Sequence, residues 1–175
     1  MRVATFACCA LLIGLACVNP SEPEPKLILE TDRASYVASA DPDPRFDYLT
    51  TVIVTFRNET GGVVRINRCT ATTSHPPYSV EPADRGEAAW NPDIACAPNA
   101  PMLQDVAAGQ ERTDTLVLRA PWQRLFNGQP VGSTSGDFHL TYEVQICGSV
   151  TQFGFCTINF RYELASSNRF TIAIP

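Results

Sequence analysis

The chain has 175 residues, of which 45% are hydrophobic and 18% charged, and its formal net charge is −5. Without the predicted leader, which contains Arg2, 12 basic (13 minus 1) and 18 acidic side chains remain, a net charge of −6. This acidic balance excludes nucleic acid as an expected partner, because phosphate binding requires a basic face. Residues 26–175 are long enough for one domain with a substantial buried core.

The first 16 residues have the pattern of an export signal. Met1 and Arg2 form a short charged start, and residues 3–16 carry no charge. That apolar block is too short to span a bilayer as a helix, which needs about 20 residues. We therefore interpret residues 1–16 as a cleaved signal peptide.

The run LLIGLAC at residues 11–17 resembles the lipobox of bacterial lipoproteins. The resemblance implies cleavage just before Cys17 and a diacylglyceryl group on its thiol. It also implies an extracytoplasmic, lipid-anchored protein of the bacterial cell envelope, in the outer membrane if the cell is diderm. Gly14 stands where the family prefers leucine, and Gly14 with Ala16 also suits ordinary signal-peptide cleavage. A freely secreted form is therefore the first alternative, and an uncleaved or cytoplasmic chain is the second.

Residues 17–25 link the proposed lipid site to the domain. They contain Pro20, Pro23 and Pro25 together with two glutamates, which favours an extended backbone. At about 3.1 Å per residue the linker would reach roughly 25 Å. It would lift residues 26–175 off the membrane.

An alternation of hydrophobic and polar residues with a period of two dominates the rest of the sequence. The clearest half-buried strand places Phe138, Leu140, Tyr142 and Val144 on one face. The other predicted strands comprise residues 27–29, 51–57, 64–66, 78–80, 88–90, 116–118, 158–164 and 170–174. About eight or nine short strands without a long helical pattern predict an all-β fold, an antiparallel β-sandwich.

Two details of strand pairing are also predicted. The turn at residues 58–62 suggests that Val64 and Ile66 form the second arm of a hairpin with residues 51–57. In the strand at residues 158–164, Tyr162 and Leu164 are expected to face the core.

Three carboxylates, Asp41, Asp43 and Asp47, lie close together in the run DPDPRFD. Clustered carboxylates on a loop can hold calcium, which takes six to eight oxygen ligands. Their spacing is not that of an EF-hand, and the two prolines restrict the loop. We favour an ordinary solvated acidic turn, with calcium as the alternative.

A second cluster, Trp122, Arg124, Leu125 and Phe126, lies between two predicted strands. Tryptophan and arginine are over-represented among the residues that dominate protein interfaces. Large aromatic residues in such a connection also commonly plug the open end of a sandwich. We favour the packing role, with partner binding through Trp122, Arg124 and Phe126 as the alternative.

The cysteines support export. Of seven, Cys8 and Cys9 lie in the leader and Cys17 is the proposed lipid site. The remaining four are Cys69, Cys96, Cys147 and Cys156. In an oxidising compartment an even set predicts disulfides, with three possible pairings. A four-cysteine zinc site is the alternative, but no two of the four have the short C-x-x-C spacing that such sites favour.

The pairing that is local in sequence, Cys69 with Cys96 and Cys147 with Cys156, is preferred, and the other two pairings stay open. A regular hairpin with Cys147 opposite Cys156 would place Gln145 opposite Ile158, a polar residue across from a core residue. This pairing therefore needs a one-residue bulge near residues 153–155.

Short motifs along residues 26–175 resemble bacterial immunoglobulin-like domains. They are TVIVTFRNET at 51–60, Trp90 after an acidic and glycine-containing turn, AAG at 107–109, GDFHL at 136–140 and SNRF at 167–170. The resemblance implies an immunoglobulin-like β-sandwich. The layout is also similar to that of a bacterial intracellular proteinase-inhibitor family. No binding residue carries over from either family.

The sequence holds no recognisable catalytic motif. His139 is predicted on the outward face of a strand and His75 in a loop, neither beside a nucleophile motif. The run GSTSG at residues 132–136 has Thr134 at the nucleophile position of G-x-S-x-G, and we interpret it as a flexible turn. We expect neither an enzyme nor a cofactor.

Three hypotheses follow from these observations. The first is a lipid-anchored envelope module that binds another envelope protein or a glycan, or that supports an assembly. The second is an inhibitor that offers residues 70–77 to a protease. The third is a small envelope enzyme or a calcium-dependent binder.

Overall fold

The computed structural model describes residues 26–68, 78–93, 102–146, 149–150, 156–158 and 161–175. These residues form strands, turns and bends but no helix, so none of them forms a helix that could cross a membrane. The strands are β1 Leu27–Thr31, β2 Ser35–Val37, β3 Ser39–Ala40, β4 Tyr48–Asn58, β5 Val64–Arg68, β6 Ser79–Pro82, β7 Asn91–Pro92, β8 Met102–Val106, β9 Glu111–Ala120, β10 Gly136–Ile146, β11 Ser149–Val150, β12 Cys156–Ile158, β13 Arg161–Ser166 and β14 Phe170–Ala173. The predicted all-β, sandwich-like fold is confirmed.

One sheet has the order β1-β4-β9-β7, with β3 added to β4. Its strands β4 and β9 pair along their length, from Tyr48 opposite Ala120 to Arg57 opposite Glu111. The alternation predicted for residues 51–57 is confirmed, because Val52, Val54 and Phe56 are buried. β7 pairs only with β9 within the described residues and ends at a proline.

The second sheet is built around β10. On one side β10 pairs with β14 and then β13, and on the other with β6 and then β5. β8 extends the sheet beyond β5, and β2 adds to β14 as the parallel exception in an otherwise antiparallel sheet. The predicted core face of β10 is confirmed, since Phe138, Leu140, Tyr142 and Val144 are buried. β6 pairs only with β10 among the described strands and also ends at a proline.

The predicted hairpin between residues 51–57 and 64–66 is wrong. β5 pairs with β8 and β10 in the second sheet, so the chain crosses between the sheets after β4. The side chain of Asn58 holds the crossing segment in place, because its amide donates to the carbonyls of Gly62 at 2.8 Å and Val106 at 2.9 Å. Val64 and Ile66 therefore enter the core from the opposite sheet. Alternation identifies the buried face of a strand but not its partner.

The predicted core face of residues 162–164 is also wrong. Tyr162 is 59% and Leu164 62% exposed, whereas Ala165 is buried. The physical reason is a bulge. Phe138 lies opposite Phe170 and Thr141 lies opposite Ser166, so an advance of three residues on β10 corresponds to four residues on the partner side. One extra residue reverses the faces of everything beyond it.

The cysteine predictions fall largely outside the described residues. Cys17, Cys69, Cys96 and Cys147 all lie outside them, and for Cys156 only the backbone is described, opposite Val150. The β11–β12 register shifts between Ser149 and Val150, and Gln145 lies opposite Tyr162 rather than Ile158. The disulfide pairing and the lipid site stay predictions.

Candidate binding surface

The pairing of β4 with β9 brings two distant loops to one end of the sandwich. β4 begins at Tyr48 and β9 ends opposite it at Ala120, so the residues just before 48 and just after 120 are neighbours. The backbone N–H of Asp47 donates to the carbonyl of Ala120 at 2.9 Å. The acidic loop and the Trp122 loop, which the sequence presented as separate clusters, therefore form one surface.

Each aspartate of the acidic loop has an arginine partner. Arg45 binds Asp43 through two nitrogens, at 3.1 and 2.7 Å, and this interaction lowers the pKa of the Asp43 carboxyl to about 2. Asp41 pairs with Arg119, which also reaches Asp93 at 3.0 Å. Asp47 pairs with Arg124 of the second loop at 2.6 Å. Such guanidinium–carboxylate pairs fix geometry as well as charge.

The three aspartates of the calcium alternative do not converge. Asp41, Asp43 and Asp47 each point to a different arginine rather than to a common centre. Among the described residues no group of three or more His, Cys, Asp or Glu side chains could hold a metal ion. The positive charges that neutralise this loop are guanidinium groups.

An aromatic stack joins the two loops. The rings of Phe46 and Trp122 have centroids 5.4 Å apart and planes 19° from parallel. The guanidinium groups of Arg45 and Arg119 lie 5.4 and 5.6 Å from the Phe46 centroid. Cations over an aromatic face add a modest attraction, about 0.5–1 kcal/mol at exposed sites.

Beyond the stack, residues 123–131 form a small hydrogen-bonded hairpin. Leu125 exchanges bonds across the turn, donating to Gln129 O at 2.8 Å and accepting from Gly128 N at 2.9 Å. Gly128 supplies the left-handed backbone of the turn, with φ of +81°. Its tip projects outward: Leu125 is 55% exposed and Phe126 fully exposed. The favoured plugging role is therefore wrong for these two residues.

We call Phe46, Trp122, Arg124, Leu125 and Phe126 the aromatic surface. Trp122 lies between the packing role and the exposed role, because it packs on Phe46 yet keeps 41% of its area exposed. The three residues predicted for partner binding thus come together, with Arg124 bracing the hairpin by donating to Gly128 O at 3.1 Å. Sequence reasoning missed Phe46, whose position next to the acidic run was visible but whose partner across the fold was not.

The GSTSG run has a structural role. Ser133 donates to Glu87 O at 2.8 Å and accepts from Ala89 N at 2.9 Å, and Thr134 O accepts from the indole N–H of buried Trp90 at 2.9 Å. Hydrogen bonds therefore hold this run against residues 87–90.

The two histidines add no site in the described residues. His139 is partly buried on β10 opposite Glu81 of β6. His75 and the inhibitor loop at 70–77 lie outside the described residues.

A cavity of about 310 Å³ adjoins the aromatic surface between the edge strands β6 and β7. Trp122, Gln123, Glu81, Glu87 and Asn91 are among its lining residues. The four polar residues of this set could not be identified from the sequence, because isolated polar residues beside turns carry no pattern.

No protein-family model matches the chain, and no curated protein matches it.

Proposed function

We propose that this chain is a non-catalytic, lipid-anchored module of the bacterial cell envelope, which binds another envelope protein through the aromatic surface. The observation that carries the proposal is the exposed apolar tip at Leu125 and Phe126, held on a hydrogen-bonded turn. Rigid, exposed aromatic residues next to arginine have the composition of interface hot spots.

The strand order supports an immunoglobulin-like domain. Counting β1, β4, β5, β7, β9, β10 and β14 as the first to seventh strands, the sheets have the orders 1-2-5-4 and 7-6-3. Immunoglobulin-like sandwiches share this division between sheets. β8 departs from that plan, because it follows β7 in the chain yet extends the opposite sheet.

The position of the chain entry supports presentation away from a membrane. The Lys26 carbonyl accepts from Glu59 N at 3.0 Å, next to the end of β4, whereas the aromatic surface lies at its start. Eleven residues at about 3.3 Å each separate these ends by roughly 35 Å. A lipid on Cys17 would hold the Lys26 end near the bilayer and leave Phe126 remote from it.

The anchor is tested by labelling. Cells grown with a clickable fatty acid should label the wild-type chain but not Cys17→Ser. An unlabelled wild-type chain would contradict the anchor and favour the freely secreted form.

Site-specific photocrosslinking tests the binding surface. A photoreactive amino acid at position 126 should give a discrete adduct with an envelope protein. The same group at Leu164, which is 62% exposed on β13, is the matched control. Equal adducts from both positions, or none from position 126, would contradict the proposal. Phe126→Ala should weaken binding of the captured protein about tenfold or more.

A further inference from the structure

The cavity between β6 and β7 is a second site with a chemistry different from that of the apolar tip. Its volume of about 310 Å³ is at the lower end of the range of about 300–1,000 Å³ typical of ligand pockets. Hydrogen bonds fix the backbone beside it: Trp122 N donates to Ala89 O at 2.8 Å, and Ser133 N donates to Glu87 O at 2.8 Å. Its walls are therefore formed before any ligand arrives.

The indole N–H of Trp90 in this cavity is bonded to Thr134 O, but five other polar side-chain groups around it have no partner among the described residues. Within the described residues, the side chains of Glu81, Glu87, Asn91 and Gln123 make no hydrogen bond or ion pair, and neither does the indole N–H of Trp122. This distinguishes the two glutamates from the aspartates of the neighbouring loop, each of which has an arginine. The cavity thus combines carboxylate acceptors, amide donors and acceptors, and one half-exposed aromatic ring.

That combination selects among ligand classes. No Arg, Lys or His is among the described lining residues, so two carboxylates without counter-charge disfavour phosphates and acidic sugars. A cation would satisfy the carboxylates, but an ammonium group only donates and would leave the amide and indole N–H groups of Asn91, Gln123 and Trp122 unmatched. A hydroxyl both donates and accepts, so a polyhydroxyl ligand can pair with all of these groups.

We infer that this cavity binds a neutral carbohydrate of one or two rings. The hydroxyl groups donate to Glu81 and Glu87 and exchange bonds with Asn91 and Gln123, while the apolar face of a sugar ring packs against Trp122. This site goes beyond the proposed protein partner. It gives the module a glycan contact beside the apolar tip.

Saturation-transfer NMR with the full chain tests the inference. The probes are glucose, galactose, N-acetylglucosamine and a disaccharide of each, with lysine amide as the cationic comparison. At least one sugar should bind saturably, and in the spectrum of the protein it should shift the indole N–H signal of Trp122. Asn91→Ala and Trp122→Ala should each weaken that binding about tenfold, since each removes a group facing the ligand. Leu164→Ala, on β13 and outside the cavity lining, should leave it unchanged.

Two outcomes would overturn the inference. One is the absence of saturable sugar binding up to tens of millimolar, and the other is binding of lysine amide with no response to any sugar. Loss of the photocrosslink at position 126 with sugar binding retained would remove the proposed protein partner and leave the carbohydrate site standing. The two failures are therefore distinguishable.

Discussion

Phe46 and Trp122 stack with their ring centroids 5.4 Å apart, although one residue precedes β4 and the other follows β9. This contact joins the acidic loop to the projecting hairpin. Trp122 also lines the cavity, so the stack orients a residue shared by the two proposed sites.

Replacing Phe46 should loosen Trp122. We expect Phe46→Ala to lower the free energy of unfolding by about 1 kcal/mol, the value of an aromatic pair. It should also increase acrylamide quenching of the Trp122 fluorescence. The chain has two tryptophans, so the same change in a Trp122→Phe background isolates the buried Trp90 and should leave its quenching unaltered. Unchanged quenching in the first variant would contradict an orienting role for Phe46.

Asn58 should be a sensitive position for stability. It is fully buried, donates to Gly62 O and Val106 O, and accepts from Thr60 N at 3.0 Å. Asn58→Ala removes these three hydrogen bonds at a fully buried position, so we expect a loss of about 2–4 kcal/mol in urea unfolding. Asn58→Asp should be no better, because a carboxylate cannot donate to the two carbonyls. Asn127→Ala, on the exposed hairpin, should cost about 0.5 kcal/mol.

Gly132 and Gly128 form a matched pair for separating backbone strain from steric clash. Their φ angles are +87° and +81°, but an added Cβ would meet the Glu87 carbonyl oxygen at 2.5 Å only at Gly132. Gly128→Ala should therefore cost about 1–2 kcal/mol from its left-handed conformation. Gly132→Ala should cost a further 1–3 kcal/mol, roughly, and displace the wall that carries Glu87. Equal losses in thermal unfolding would argue against this close approach.

Tyr36 should make stability depend on alkaline pH. Burial and its 2.6 Å hydrogen bond to Asp32 raise the pKa of Tyr36 to about 12, against about 10 in an unfolded chain. A raised pKa contributes stability that is complete below pH 10 and is lost as the pH rises through about 12. The stability advantage of wild type over Tyr36→Phe, measured by urea unfolding, should shrink across that window. A constant difference would contradict the shift.

Strand faces could be predicted where a strand is regular. β10 follows its alternation because its whole length faces the core, from Phe138 to Val144. The same rule failed at Tyr162 and Leu164 because one extra residue beyond Ser166 reverses the pattern, and a bulge leaves no mark in the alternation. The predicted hairpin of residues 51–57 with Val64 and Ile66 was wrong because local sequence does not specify which sheet a strand joins.

The residues of the candidate surface could be predicted, but not their juxtaposition. Trp122, Arg124 and Phe126 were identifiable by residue type, and Asp47 by its acidic run. Their meeting depends on the pairing of Tyr48 with Ala120, a long-range contact. The cavity residues Glu81 and Glu87 gave no signal in the sequence, because what marks them is the lack of a partner among the described residues, which only the folded chain reveals.

The prolines that end β6 and β7 have a consequence for crowding. A chain held by a lipid is confined to two dimensions, where strand edges of neighbouring copies meet often. Pro82 and Pro92 lack the N–H that an added strand would need, and edge prolines discourage such pairing. If Cys17 is lipidated as proposed, these two edges would resist pairing between crowded copies, and the opening between them would stay accessible.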